Sequence, residues 1–129
     1  MIKYISFADA VDLHFTLMEM WGESRYGIED RPLIESALAR PRHAAVYENA
    51  DLVRQASTLC FGLIKNHPWT GGNKRTATFL MDYFLKLNGQ RLTALPREVY
   101  QMTLDVESDR WFVDEIEDWL RIRVEDYSE

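Results

Sequence analysis

Cysteine is almost missing from this chain: Cys60 stands alone among 129 residues. A lone thiol excludes a disulfide scaffold, and its place in the run Leu59-Cys60-Phe61-Gly62-Leu63-Ile64 predicts a buried, inert sulfur of the kind usual in the cytosol. Positive charge is also short. The 15 Lys and Arg are outnumbered by 21 Asp and Glu, for a formal charge of −6, so the molecule as a whole repels nucleic acid and anionic membrane, and any anion it binds must be held locally. No stretch approaches the ~18 uncharged apolar residues of a membrane span, and Met1-Ile2-Lys3-Tyr4 opens no apolar leader segment. A cytoplasmic protein with no nucleic-acid or membrane partner is the expectation. Histidine occurs only at His14, His43 and His67, at no metal-binding spacing, so no zinc site is expected. Repeats, low-complexity tracts and linkers are absent as well.

What remains is the make-up of a folded domain. With 47% apolar residues, the chain can bury a core, and its 129 residues suffice for one core but not two. Residues 1–129 are therefore expected to form a single domain, with only Glu125 to Glu129 frayed. Ser6 caps a first helix running to about Trp21, with Gly22 at its stop. Asp30 and Pro32 start a second, short helix that ends before Pro41, and His43 to Ala50 show no period. From Asp51 the spacing of Leu52, Val53, Ala56, Leu59, Cys60, Leu63 and Ile64 predicts an amphipathic helix to about Asn66.

His67-Pro68-Trp69-Thr70-Gly71-Gly72 must turn, since Pro68 restricts its neighbour and two glycines follow. The next helix begins at Asn73 and is so rich in apolar residues, from Ala77 to Leu87, that it is expected to be the buried central helix; Asn88-Gly89 closes it with a left-handed cap. A short extended piece, Gln90 to Ala94, precedes two more helices, Pro96 to Val106 and Trp111 to Val124. Trp21, Trp111 and Trp119 are read as core. The expected class is all-α, a compact bundle of about six helices.

The chemistry points to the segment from His67 to Arg75. Lys74 and Arg75 sit in the first turn of a helix, where the macrodipole already places about half a positive charge and penalises each by some tenths of a kcal/mol. An anion would offset this. Free amides, the close backbone approach allowed by Gly71 and Gly72, and the two cations make a phosphate cradle. His67 is the histidine at its rim, and an imidazole nitrogen there can take a proton from an incoming hydroxyl as a general base. The bland readings stand beside this one: Gly71-Gly72-Asn73 as turn and N-cap, and Lys74 and Arg75 as solvated or paired with acidic residues.

The spacing is not that of a P-loop, and no strand precedes it. It resembles instead the Fic/Doc family motif HxFx[DE]GN[GK]R, matched here by His67, Gly72, Asn73, Lys74 and Arg75, with Trp69 for the phenylalanine. The Asn73-Lys74-Arg75-Thr76 form is similar to the death-on-curing (Doc) branch, as are Leu13-His14, Gly27-Ile28, Asp30-Arg31, Leu33 to Pro41, Tyr47, Asp51-Leu52 and Asn88-Gly89. The resemblance implies ATP as cosubstrate, His67 as base on a target hydroxyl, and phosphate binding by the backbone around Gly71 and Gly72 and by Asn73, Lys74 and Arg75. By the same resemblance, Fic proteins transfer AMP to a hydroxyl. The Doc branch transfers the terminal phosphate to elongation factor Tu and is silenced by a cognate antitoxin.

Two positions depart from the motif. The acidic residue that holds Mg²⁺ in the family is Gly71 here, so the metal would be held weakly, come with ATP and water alone, or be absent. Asp82 and Glu48 are the other carboxylates that could substitute, although Asp82, two turns up the helix, is expected to stand too far away. The motif's second arginine is Thr78, a loss common in the Doc branch. The alternative to an enzyme is a degenerate relative that keeps fold and anion site and binds a nucleotide or a protein without turnover.

Overall fold

Ser6 opens α1 (Phe7–Met20) by accepting the Asp9 amide at 3.1 Å, which satisfies one of the donors a helix start leaves unpaired. Asp30 does the same for α2 (Arg31–Glu48) through Leu33, and Asp51 for α3 (Leu52–Asn66) through Arg54. Then come α4 (Asn73–Leu87), the strand β1 (Gln90–Leu92), α5 (Pro96–Glu107), α6 (Val113–Arg121) and β2 (Val124–Asp126). At the starts of α5 and α6, Glu98 and Glu115 reach back to accept the Leu95 and Phe112 amides at 3.0 and 2.7 Å. This computed structural model describes residues 1–128, and its class is all-α as expected.

Three boundaries differ from the sequence reading. The second helix does not stop before Pro41 but runs on to Glu48, through the stretch in which no period was visible. A proline inside a helix costs about 3 kcal/mol, yet its ring is buried and extends the stripe Ile34, Ala37, Pro41 and Ala44. Packing of that stripe on α3 outweighs the lost backbone bond. The two helices come so close that a Cβ on Gly62 would stand 3.3 Å from the Ala37 Cα. The last helix is shorter than Trp111 to Val124, and the tail beyond it is not frayed: Val124, Glu125 and Asp126 pair antiparallel with Leu92, Arg91 and Gln90, and the Tyr127 amide donates to Gly89 at 2.9 Å. Glu129 lies outside the described residues.

The central helix is α3 rather than α4. It packs against α2, α4, α5 and α6, whereas α4 leaves Phe79 38% exposed. Polar residues within α3 hid this role, because Gln55, Ser57 and Thr58 are buried with their bonds made locally, to the carbonyls of Ala50, Val53 and Gln55 at 3.0, 2.8 and 2.7 Å. A polar side chain so satisfied is no obstacle to burial. Around α3 lie Ile34 of α2, Leu80, Met81, Phe84 and Leu85 of α4, Met102 and Val106 of α5, and Ile116 and Leu120 of α6, all buried. Cys60 is among them, and burial pushes its thiol up to about 12. No described helix is long and apolar enough to cross a membrane.

Charge fastens α6 to the start of α3. Arg54 reaches Glu48 and Glu117 at 3.1 Å each and also Asp114, while Arg121 holds Asp51 at 2.9 Å and Glu117. A network around an arginine side chain that is only 24% exposed contributes more than isolated surface pairs. Arg54→Ala is expected to lower unfolding stability by roughly 1–2 kcal/mol, a melting-point drop of several degrees that shrinks in 1 M salt. A variant that melts with the wild type at low salt would show the network to be ornamental.

Candidate functional site

The loop after α3 is built on one buried stack. His67, at the C-terminus of α3, takes the left-handed conformation (φ 49°) that turns the chain out of the helix. Trp69 then drops inward, fully buried, with its ring 4.1 Å from that of His14 and nearly parallel to it. The Gly27 amide donates to His14 Nε2 at 3.3 Å, so the proton of the neutral ring is on Nδ1, which donates to Thr76 Oγ1 at 2.8 Å. One histidine thereby ties α1, the 21–30 segment and the first turn of α4 together. Backbone bonds add to this: the Thr70 amide donates to Gly27 at 2.9 Å, and the Glu29 and Asp30 amides donate to Pro68 at 3.1 Å.

Asn73 locks the loop from the other side. Its Oδ1 accepts the Trp69 amide at 2.9 Å and its Nδ2 donates to the Trp69 carbonyl at 2.8 Å, so the orientation of the carboxamide is fixed. The same Nδ2 faces His67 Nδ1 at 3.3 Å. His67 Nδ1 therefore carries the lone pair, and a bond at the long end of the range is weak enough to give way to a hydroxyl. Asn73 is 5% exposed and its side chain is occupied with the loop, which leaves its backbone amide rather than its carboxamide for a ligand.

Gly72 caps α4 with φ 68° and no side-chain bond. The first bond of that helix is Thr76 to Gly72 at 2.9 Å, so the amides of Asn73, Lys74 and Arg75 lie ahead of it with no partner inside the helix. The two cations are paired in the free protein: Lys74 Nζ with Glu107 at 3.1 Å, and Arg75 Nη1 with Glu23 at 2.9 Å, its guanidinium 4.2 Å from the centroid of the Trp21 ring. The bland reading of these side chains thus holds in part. Nevertheless His67, Gly71, Gly72, Asn73, Lys74 and Arg75 all line one cleft of about 780 Å³, together with Glu23, Thr70 and Thr78. Its opposite wall is Ala94, Pro96, Val99, Tyr100 and Thr103, from α5 and the residue just ahead of its N-cap.

Several residues of this cleft escaped the sequence reading. Trp21, read as core, is 60% exposed and, though not itself lining the cleft, lies under Arg75. Glu23 and the α5 wall carried no signal, because neither belongs to a motif and both reach the cleft only through tertiary packing. Arg91 pairs with Glu125 on the ribbon and does not line the cleft. Asp82 holds the Leu92 amide at 2.9 Å and pairs with Lys86, and Glu48 pairs with Arg54, so neither takes the place of the missing motif acid. A Cβ on Gly71 would stand 2.5 Å from the Arg25 carbonyl oxygen. Among the described residues no three His, Cys, Asp or Glu side chains gather as a cation site. The residues present do not fit the Mg²⁺ that the motif implies.

The Fic/DOC family model matches residues 4–85, which covers α1 to α3, the whole loop and α4 as far as Leu85, but not α5. No curated protein matches the chain.

Burial holds the His14 imidazole down, from the ordinary 6.5 to about 4. As pH falls from 6.5, the unfolded chain takes up a proton that the folded ring refuses, so stability should fall between pH 6.5 and 4 and stay flat in this respect above. The loss amounts to roughly 3 kcal/mol at most. Urea unfolding at pH 7, 5.5 and 4.5 tests this, and His14→Gln should flatten the slope; equal slopes in both proteins would move the effect to another group.

Proposed function

Since the chain belongs to the Fic/DOC family, we propose that it is a nucleotide-dependent transferase that modifies a hydroxyl on another protein, and that it is a toxin of the Doc kind. The observation that carries this reading is the convergence of His67, the unpaired amides at the start of α4, Lys74 and Arg75 on one cleft. ATP enters with its polyphosphate over the amides of Asn73, Lys74 and Arg75. The cleft lies within the 300–1,000 Å³ typical of small-molecule sites.

The chemistry follows from the residues present. A serine or threonine hydroxyl of the target approaches His67 Nδ1, which takes its proton as the oxygen attacks phosphorus. If the γ-phosphorus is attacked, the bond to ADP breaks and a phosphoryl group is transferred. If the α-phosphorus is attacked, pyrophosphate leaves and AMP is transferred. The Lys74 form of the motif favours the first outcome by its likeness to the Doc branch, with elongation factor Tu as the target and a cognate antitoxin as regulator. Lys74 and Arg75 stabilise the charge on the transferring group. His14 and Asn73 are positioning residues, holding the loop that presents His67.

One observation favours a second reading. With Gly71 in place of the acid, the site is also suited to holding a nucleotide without turning it over. Incubation with γ- and α-labelled ATP and elongation factor Tu separates the two. Label on the target from the γ-position is expected, reduced about 10²–10⁴-fold in His67→Ala; tight ATP binding without label from either position would establish the binding protein instead.

A further inference from the structure

The segment that closes over the loop bears on how this site meets the charge of its ligand. At position 71, where the motif expects an acid, glycine is required by the chain itself: the Arg25 carbonyl oxygen would lie 2.5 Å from a Cβ there, and a backbone atom cannot swing aside as a side-chain end can. Arg25 is held near by its neighbours, through the bond from the Thr70 amide to Gly27 and the bridge between Ile28 and Trp69. Among the described residues the one carboxylate lining the cleft is Glu23, and its oxygen is bonded to Arg75 at 2.9 Å. An arginine-bound carboxylate is a poor recruit for a hard cation, which seeks anionic oxygen free of competing positive charge. The positive charge of the cleft comes instead from the protein's own groups: Lys74, Arg75 and the helix start beneath them.

We propose that this cleft takes the polyphosphate of a nucleoside triphosphate as a metal-free anion, which displaces the Glu23 carboxylate from Arg75 and fills its place. The inference rests on the reading of the cleft as a phosphate site, and it adds the ionic form that the site selects. Glu23 acts as a stand-in anion in the free protein. It keeps the guanidinium over Trp21 and aimed at the cleft, and a surface pair of this kind is weak enough to exchange for phosphate oxygens. Because Mg²⁺ cancels two charges of the triphosphate without finding a ligand on the protein, the metal complex is the poorer binder.

Isothermal titration of the full chain with ATP, once in EDTA and once in excess Mg²⁺, gives the sign. Binding about three- to tenfold tighter in EDTA is expected, and Glu23→Gln should tighten it further, by up to about fivefold. Binding tenfold tighter with Mg²⁺ overturns the inference while leaving the phosphate site intact, and loss of that metal dependence in Glu23→Gln would make Glu23 the metal ligand. No binding under either condition removes the phosphate site and this inference together. Gly71→Ala tests the steric step by itself: its melting temperature should drop by several degrees, and a wild-type value would mean that the Arg25 carbonyl is no barrier to a side chain.

Discussion

The carboxamide of Asn73 fastens the turn on which the rest of the cleft depends. It closes the 69–73 turn through two hydrogen bonds to one residue, Trp69, and offers its remaining hydrogen to His67. Leaving those backbone groups unpaired in a buried setting would cost about 1–3 kcal/mol each, so the turn is held without help from a ligand. Beneath it the Trp69–His14 stack fixes depth. The price is one orphan, Trp69 Nε1, which is buried without a partner among the described residues. A phenylalanine would avoid that loss but fill less of the space against His14, and the larger ring burial offsets part of the penalty.

A site fixed in this way is rigid at its floor and loose at its rim. Lys74, Arg75, Glu23 and Glu107 are each about one-third to two-fifths exposed and meet only as surface pairs. Such pairs contribute between nothing and about 1 kcal/mol, so the cations can be re-paired while Asn73 and His14 cannot move without unravelling the turn. Neutralising the cations in the free protein also removes the electrostatic conflict between Lys74, Arg75 and the positive end of α4. The unfavourable charge that singled out this segment is thus already answered by Glu107 and Glu23, and the case for an anion rests on the shared cleft and the unpaired amides rather than on naked charge.

What was legible in the sequence was local. Ser6, Asp30 and Asp51 mark helix starts because the cap bond spans three residues, and the His67 to Arg75 motif is contiguous. What was not legible depends on distant partners. The run of α2 through Pro41 is decided by its stripe against α3, and the pairing of β1 with β2 joins residues more than 30 apart. The α5 wall reaches the loop only across the fold. The identity of the central helix misled for a related reason: apolar content favoured α4, but burial follows position, and α3 meets it by satisfying Gln55, Ser57 and Thr58 internally.

The two glycines of the motif were read as one device, a backbone thin enough for phosphate to approach. They are two. Gly72 is needed for its left-handed φ of 68°, with the Met18 sulfur 2.4 Å from where a Cβ would be, so the constraint there is the turn and the helix below it. Gly71 has no such dihedral, and what approaches it is the protein's own Arg25 carbonyl. The segment from Trp21 to Asp30 therefore occupies the space that a side chain at position 71 would need, and the same segment sets Glu23 and Trp21 against Arg75. Glycine at 71 and the course of this segment are two sides of one packing arrangement, so a side chain at 71 requires the segment to move.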